Sequence, residues 1–379
     1  MSGKRSFVID TDFPGGNIVV ESIRGNTVKL HQDTRDTEGW WFYWYFRVKG
    51  ASGRSIRFQF TNGAVISSRG PAYSYDGLHW SWLNKEEKEG TAFTFSFPEE
   101  KEEVYFSMGM PYLERNLNLF LERHLPSDFL RKEILCRSRH GRDVECLFAG
   151  CLQRNPKARV LVVARHHACE MMASYVMEGI MEYLFSKSQP ARYLRENVEF
   201  MFVPFVDKDG VEEGDPGKNR RPHDHNRDYS GTSIYPEVKA IRNLVPEWSA
   251  GKLKVTLDLH CPMLRGKNDE KIFLVGSPYP AIWEQQRQLG KILQYFSRKS
   301  LPYCPENDIP FGVGWNSPKN FEQGKPFSDW AGQLPEVVCA SSIEIAYASA
   351  DGAEVNQSTA RLFGQTLART IAEYLQKTI

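Results

Sequence analysis

The stretch "ARVLVVARHHACEMMASYVMEGIMEYL", residues 158–184, carries two periods in sequence. Residues 158–164 form a short, β-branched apolar run of the length of a strand buried on both faces. From about residue 170 the apolar positions recur at helical spacing. The junction between the two holds His166, His167 and, three places after the second, Glu170. One helical turn brings residues three apart onto one face, so His167 and Glu170 form a ligand-compatible imidazole and carboxylate. Taken alone, H-x-x-E also describes a histidine near a helix start with an acid in the first turn.

Working outward, residues 112–379 repeat this strand-then-helix texture. "YLERNLNLFLERHL" opens it with Leu113, Leu117, Phe120 and Leu121 at helical spacing. "VECLFAGCL", "VEFMFVPFV", "KLKVTLDLH", "KIFLVG" and "SSIEIAY" read as core strands, separated by helices near 236–246 and 280–299 and followed by a closing helix. Alternation of this kind predicts an α/β fold, a mixed and largely parallel sheet flanked by helices, with ligands beyond the carboxyl ends of the strands. Residues 1–111 differ. Six β-branched or aromatic runs, punctuated by "PGG", "RGN" and "KGASG", predict an N-terminal antiparallel β-sandwich. Its run "WWFYWYF", residues 40–46, has two readings: a central strand buried on both faces, or a surface for stacking on sugar or polypeptide.

Bulk properties exclude several classes. The 379 residues carry 48 Lys+Arg against 47 Asp+Glu, a formal charge of +1 that leaves no global footprint for nucleic acid or an anionic membrane. Hydrophobic content of 41% with 25% charged residues suits a folded globular chain. The first residues lack the apolar core of a secretory signal, and no stretch reaches the ~18 apolar residues of a membrane-spanning helix. Seven cysteines without a CxxC pair argue against a disulfide framework or a zinc knuckle. The expected location is the cytoplasm; the oligomeric state stays open.

Further chemistry-bearing residues fall at telling places. His260 ends "KVTLDLH", where a side chain faces the crevice; His, Glu, His with a free fourth position is a catalytic zinc set. A satisfied core histidine is the other reading. The loop "GDPGKNRRPHDHNRDYS" holds Lys218, Arg220, Arg221 and Arg227 among Asn219, Asp224 and Asn226. Guanidinium groups grip carboxylates through paired hydrogen bonds, so this run reads either as a clamp for an anionic substrate end or as a solvated charged loop. His223 and His225 form an H-x-H inside the loop, a weaker metal candidate because neither follows a core strand. Glu344 lies between Ile343 and Ile345 in a predicted core strand, where alternation sends it to the opposite face. A buried carboxylate is costly unless paired or functional, and beside a metal-bound water it makes a general base.

"HACE", "DHNR", "LDLH" and "IEI" stand in the order found in the zinc carboxypeptidases of the M14 family, and the chain particularly resembles their cytosolic carboxypeptidase branch. "TDFPGGN", "WWFYWYFRVKG" and "ASYVMEG" extend the resemblance over nearly the whole chain. It implies one zinc ion held by His167, Glu170 and His260. It also implies that Asp224 orients a ligand histidine, that Asn226 and Arg227 hold the substrate's terminal carboxylate, and that Glu344 is general base and proton shuttle. An upstream arginine normally polarises the scissile carbonyl; Arg220 is the first choice and Arg221 the second. Two departures stand out. "FSDWAGQ" has Gly332 where relatives of the pancreatic type carry a substrate-capping tyrosine, and "HACE" and "HCP" replace the branch's usual "HPGE" and "HGH". Substrate preference is therefore not inherited, and removal of glutamates from protein tails, known in the branch, stays one possibility.

The expected function is that of a zinc metallocarboxypeptidase hydrolysing C-terminal amino acids from peptides or proteins by Glu-assisted attack of zinc-bound water. Two alternatives remain open on sequence: a zinc amidohydrolase acting on N-acyl amino acids, γ-glutamyl or cell-wall peptides, and a catalytically inert binding protein. No nucleic acid or membrane partner is expected.

Overall fold

The computed structural model describes residues 7–84 and 89–378. The first six residues, on which the secretory-signal reading partly rests, lie outside them. Among the described residues no helix is long and apolar enough to cross a membrane.

Among the described residues up to 107 the strands form two sheets. One runs Val8–Asp10, Tyr45–Lys49, Glu103–Ser107, Ala72–Ser74 and Ser81–Trp82, all antiparallel. The second runs Val19–Arg24, Thr27–His31, Ser55–Phe60 and Ala92–Ser96. The sandwich is antiparallel as expected apart from one pair, Thr27–His31 and Ser55–Phe60, which runs parallel. Aromatic rings fill the space between the sheets: Phe46 and Phe58, one from each, lie 5.4 Å apart, and Trp44 stacks near Phe60 and Phe93. Such tilted contacts match the ring quadrupoles. The aromatic run 40–46 divides accordingly. Phe42, Tyr43, Trp44, Tyr45 and Phe46 are buried, but the strand itself begins only at Tyr45, so residues 40–44 precede it.

The rest of the chain builds a seven-stranded sheet in the order Leu130–Arg137, Asp143–Gly150, Val198–Val203, Ala158–Ala164, Leu253–His260, Cys339–Glu344 and Phe273–Val275. Its four middle strands are parallel, and the flanking strands are antiparallel. Alternation gives each strand two apolar faces. Val160 and Val162 join a core beneath helices Met171–Leu184 and Gln357–Thr378, whereas Leu161 and Val163 join one beneath Pro236–Ser249 and Phe327–Ala331. The two long helices of the first face approach at glycines: a Cβ on Gly364 would lie 2.0 Å from the Val176 carbonyl oxygen, and one on Gly179 2.0 Å from that of Arg361.

The sandwich residues and the first face of the sheet share one apolar core. Polar ties cross between them: Trp82 Nε1 donates to the Val355 carbonyl at 2.7 Å, and Asn17 Nδ2 to the Gly214 carbonyl at 2.8 Å.

Candidate metal centre

Parallel strands share a direction, so their carboxyl ends lie along one edge of the sheet. Strand 158–164 delivers His166 and His167 there, strand 253–260 delivers His260, and strand 339–344 delivers Glu344. His260 and Glu344 are direct register partners. Between strand and histidines stands Arg165, at φ +63° although it is not glycine. Its buried guanidinium donates to the carbonyls of Ala168 and Tyr112 and to Ser174 Oγ, contacts that hold a backbone turn of modest intrinsic cost.

The turn sets two imidazoles around one carboxylate. His167 Nδ1 lies 3.0 Å from Glu170 Oε1, and His260 Nδ1 lies 2.7 Å from Glu170 Oε2. One potential ligand atom from each of the three residues falls within 4.8 Å of the others, and all three side chains are buried. Two imidazole nitrogens and a carboxylate oxygen are a zinc donor set with room for a fourth ligand. The outward nitrogens also face carboxylates. His260 Nε2 is 2.7 Å from Asp258 Oδ2, and His167 Nε2 is 3.8 Å from Asp224 Oδ2, an ion-pair distance. Carboxylates in those positions fix ring orientation and tautomer in metal sites, so the residues present fit the ion.

Asp258 escaped the sequence reading. The available signal was its place two residues before His260, which puts both on one face of the strand. Its other oxygen lies 2.8 Å from His166 Nδ1, and His166 Nε2 meets the Tyr229 hydroxyl at 2.8 Å. His166 thus belongs to a buried chain running Tyr229, His166, Asp258, His260. Burial opposes ionisation of Asp258, but His166 and His260 outweigh it and hold the carboxyl well below the usual range. Glu170 behaves alike, with His167, Lys218 and His260 overcoming its burial. Glu344 differs: burial pushes its carboxyl above the ordinary range, opposed mainly by His260. Its Oε2 has no hydrogen-bond partner among the described residues.

A cavity of about 360 Å³ opens on these groups, within the range of small-ligand sites. His167, His260, Asp224, Glu344, Lys218, Asn226 and Arg227 line its polar end, with Met263, Val275, Trp315 and Phe321 along the walls. Asn226 Nδ2 is 3.1 Å from His260 Nε2, and its Oδ1 accepts from the Phe327 amide. Arg227 is held by the Asn320 carbonyl and Oδ1 and by the Asn226 carbonyl. Three of its five N–H groups are thereby engaged.

Arg220 and Arg221 are not brought to this cavity. Arg220 is buried among Asp207, Asp215 and Asp36 and lines a separate, smaller cavity. Three carboxylates satisfy its charge where the loop folds back on the strand end. Arg221 points to solvent, its side chain 82% exposed beside Glu38. The H-x-H pair does not converge either: His223 binds Asp228, and His225 stacks on Tyr235 at 3.6 Å between ring centroids. Gly332 ends the helix Phe327–Ala331, and among the described residues no tyrosine lines the cavity.

The chain is similar to known proteins in sequence and in fold. Residues 9–108 match the family model for the cytosolic carboxypeptidase N-terminal domain, and residues 120–262 match that for zinc carboxypeptidase. An uncharacterised protein of Zymomonas mobilis is 26% identical over 324 residues, 82% of this chain and 80% of its own length. Human cytosolic carboxypeptidase 1 is 28% identical over 202 residues, 48% of this chain but 16% of its own length. The chain thus spans less than a fifth of that relative. In fold it is similar to metallo-carboxypeptidases of Burkholderia cenocepacia (TM-score 0.82, 21% identity, 99% of this chain and 100% of that one) and Pseudomonas aeruginosa (0.79, 22%, 98% and 100%).

Proposed function

Given that the chain belongs to the M14 family of zinc carboxypeptidases, we propose that it is a metallocarboxypeptidase that hydrolyses the last amide bond of peptides or proteins with a free C-terminus. The observation that carries this reading is the convergence of His167 Nδ1, Glu170 and His260 Nδ1 beside a buried Glu344 whose Oε2 has no hydrogen-bond partner among the described residues. These three residues hold a single zinc ion, with Asp224 and Asp258 orienting the two imidazoles. When bound, zinc supplies Lewis-acid charge and makes a coordinated water acidic near neutrality.

The chain's own groups divide the remaining work. Arg227 and Asn226 line the same cavity, where the two N–H groups that Arg227 keeps free suit the planar terminal carboxylate of a substrate. An internal peptide bond offers no such anion, which makes the clamp selective for chain ends. Glu344 takes a proton from the attacking water as the new O–C bond forms at the scissile carbonyl. It returns that proton to the amide nitrogen as the C–N bond breaks, so the Glu344 carboxylate is restored and the proton leaves on the product amine. Its upward-shifted carboxyl suits the task, because a base of higher proton affinity accepts the proton with less penalty.

Residues 1–111 are taken as the sandwich domain and 112–379 as the catalytic domain; the two matched family segments part between 108 and 120. A cytoplasmic location suits seven cysteines that form no disulfide.

The test is Glu344→Gln, assayed on peptides with free acidic, basic or apolar C-terminal residues alongside metal analysis. We expect zinc content to persist and kcat to fall about 10²- to 10⁴-fold. A variant as active as the parent removes Glu344 from the mechanism; a parent inert on every free C-terminus overturns the reading.

A further inference from the structure

We propose that Lys218, seated against the indole of Trp41, is the cation that stabilises the oxyanion formed from the scissile carbonyl; the proposal rests on the carboxypeptidase reading above. Attack on an amide carbonyl places negative charge on its oxygen. A donor already aimed at that oxygen stabilises the transition state with little reorganisation.

Charge placement singles out the lysine. Among the described residues lining the cavity the only Lys or Arg side chains are Lys218 and Arg227. Arg227 is anchored through Asn320 and the Asn226 carbonyl, at a position suited to the terminal carboxylate. Arg220 is consumed by three carboxylates outside the cavity, and Arg221 lies in solvent. Lys218 is 20% exposed, and its Nζ lies 2.8 Å from Glu170 Oε1, beside the very atoms that would bind the metal. An ammonium has three donors, so one contact to Glu170 leaves two for a substrate oxygen.

Trp41 fixes where that charge sits. Lys218 Nζ lies 5.3 Å from the centre of the Trp41 ring, within cation–π range. The indole is itself held: Nε1 contacts Cys169 Sγ at 3.3 Å, and the ring stacks on Phe42 at 4.9 Å. Trp41 precedes the sandwich strand Tyr45–Lys49. The N-terminal part of the chain therefore supplies a positioning residue to the chemistry of the other part.

The experiment uses full-length zinc-loaded protein with the substitutions Lys218→Met, Lys218→Arg, Trp41→Leu and Trp41→Phe. Readouts are steady-state kinetics on a free-C-terminal peptide, zinc content, and binding of two probes: a peptide phosphonate with a free terminal carboxylate, and the product amino acid. Lys218→Met should lower kcat and phosphonate affinity about 10²- to 10³-fold, leaving KM, product affinity and zinc content near parental. Lys218→Arg should recover part of kcat. Trp41→Leu should lower kcat more than Trp41→Phe, at unchanged KM. Parental phosphonate affinity in Lys218→Met overturns the proposal, and so does a loss of zinc, which would assign the lysine to the metal site. If Lys218→Met is not recovered folded, Lys218→Arg and the Trp41 pair decide: an arginine variant with no activity, or equal kcat in Leu and Phe variants, overturns it. A parent that neither hydrolyses nor binds the phosphonate overturns the carboxypeptidase reading itself, whereas an active parent with an indifferent Lys218→Met overturns this proposal alone.

Discussion

Replacing Asp258 by asparagine preserves shape and removes one acceptor, so it isolates what the carboxylate does for the metal centre. Asp258 is fully buried, with Oδ1 2.8 Å from His166 Nδ1 and Oδ2 2.7 Å from His260 Nε2. Oδ1 meets His166 in a hydrogen bond, whereas Oδ2 makes none among the described residues and faces His260 as an ion-pair contact, so the carboxylate favours a proton on Nε2 by its charge. His260 then keeps Nδ1 bare, and that is the nitrogen facing Glu170. An amide has one oxygen and one NH₂ group. If the NH₂ meets His260, the ring proton must move to Nδ1, the atom the metal needs. If it meets His166, that ring can change tautomer against the Tyr229 hydroxyl, which serves as donor or acceptor. The second arrangement is cheaper, yet it leaves His260 with a neutral acceptor in place of a charged one. An opposite charge at this range biases the ionisation of its neighbour by about one pKa unit or more, on the order of 1–2 kcal/mol. Zinc affinity should therefore fall about 10- to 30-fold, inside the range for partners of metal-bound imidazoles. Chelator competition at fixed pH measures it, with thermal unfolding of the metal-free protein as a check on folding. An affinity within about threefold of the parent in a folded variant would refute the argument. It would mean that the contact of Nδ1 with Glu170 is enough to orient the ring.

Arg227→Met should cut kcat/KM for free C-terminal peptides about 100-fold, as expected for a lost buried charge contact, and leave amidated analogues nearly unaffected; equal losses on both contradict the clamp. Gly364→Ala should destabilise the protein by about 3 kcal/mol, because the new Cβ meets the Val176 backbone oxygen and not a movable side chain; unchanged urea unfolding would show that the two helices separate freely. Asp308 tests linkage at a carboxyl outside the metal-binding set. Burial raises its carboxyl from 3.8 to about 7 although the Leu274 amide and Tyr303 hydroxyl donate to it. A raised folded value means that the native state holds the proton more tightly, so the group lowers stability as pH climbs from about 4 to about 7 and adds no further change above. Melting temperatures of Asp308→Asn should shift in the variant's favour, relative to the parent, across that window; a constant difference refutes the assignment.

Much of the site was legible because its parts are local. A strand's period of two and a helix's period of 3.6 assign faces without knowledge of the rest of the chain. That logic placed His167 and Glu170 together and sent Glu344 away from Ile343 and Ile345, which lie in the apolar core. It would also have found Asp258, whose offset of two from His260 is as local as any of these. Reading the loop 214–230 failed for a different reason. Its cations are close in sequence, and nothing in their spacing tells which will be neutralised. Arg220 lies among Asp36, Asp207 and Asp215, while Lys218, two residues earlier, enters the cavity.

The amino-acid sequence by itself determined the parallel core strands and the long helices, the strand ends that carry the histidines and the family resemblance, since each depends on short-range periodicity or on motif order. The edge strand Leu130–Arg137 and the short helices Gln189–Asn197 and Phe327–Ala331 did not show in it. Tertiary structure alone decided which cation faces the metal centre, that Trp41 reaches it, and that one pair of sandwich strands runs parallel. Those outcomes depend on contacts between segments far apart in the chain, where the energy of a charge or a ring is set by neighbours that no local pattern specifies.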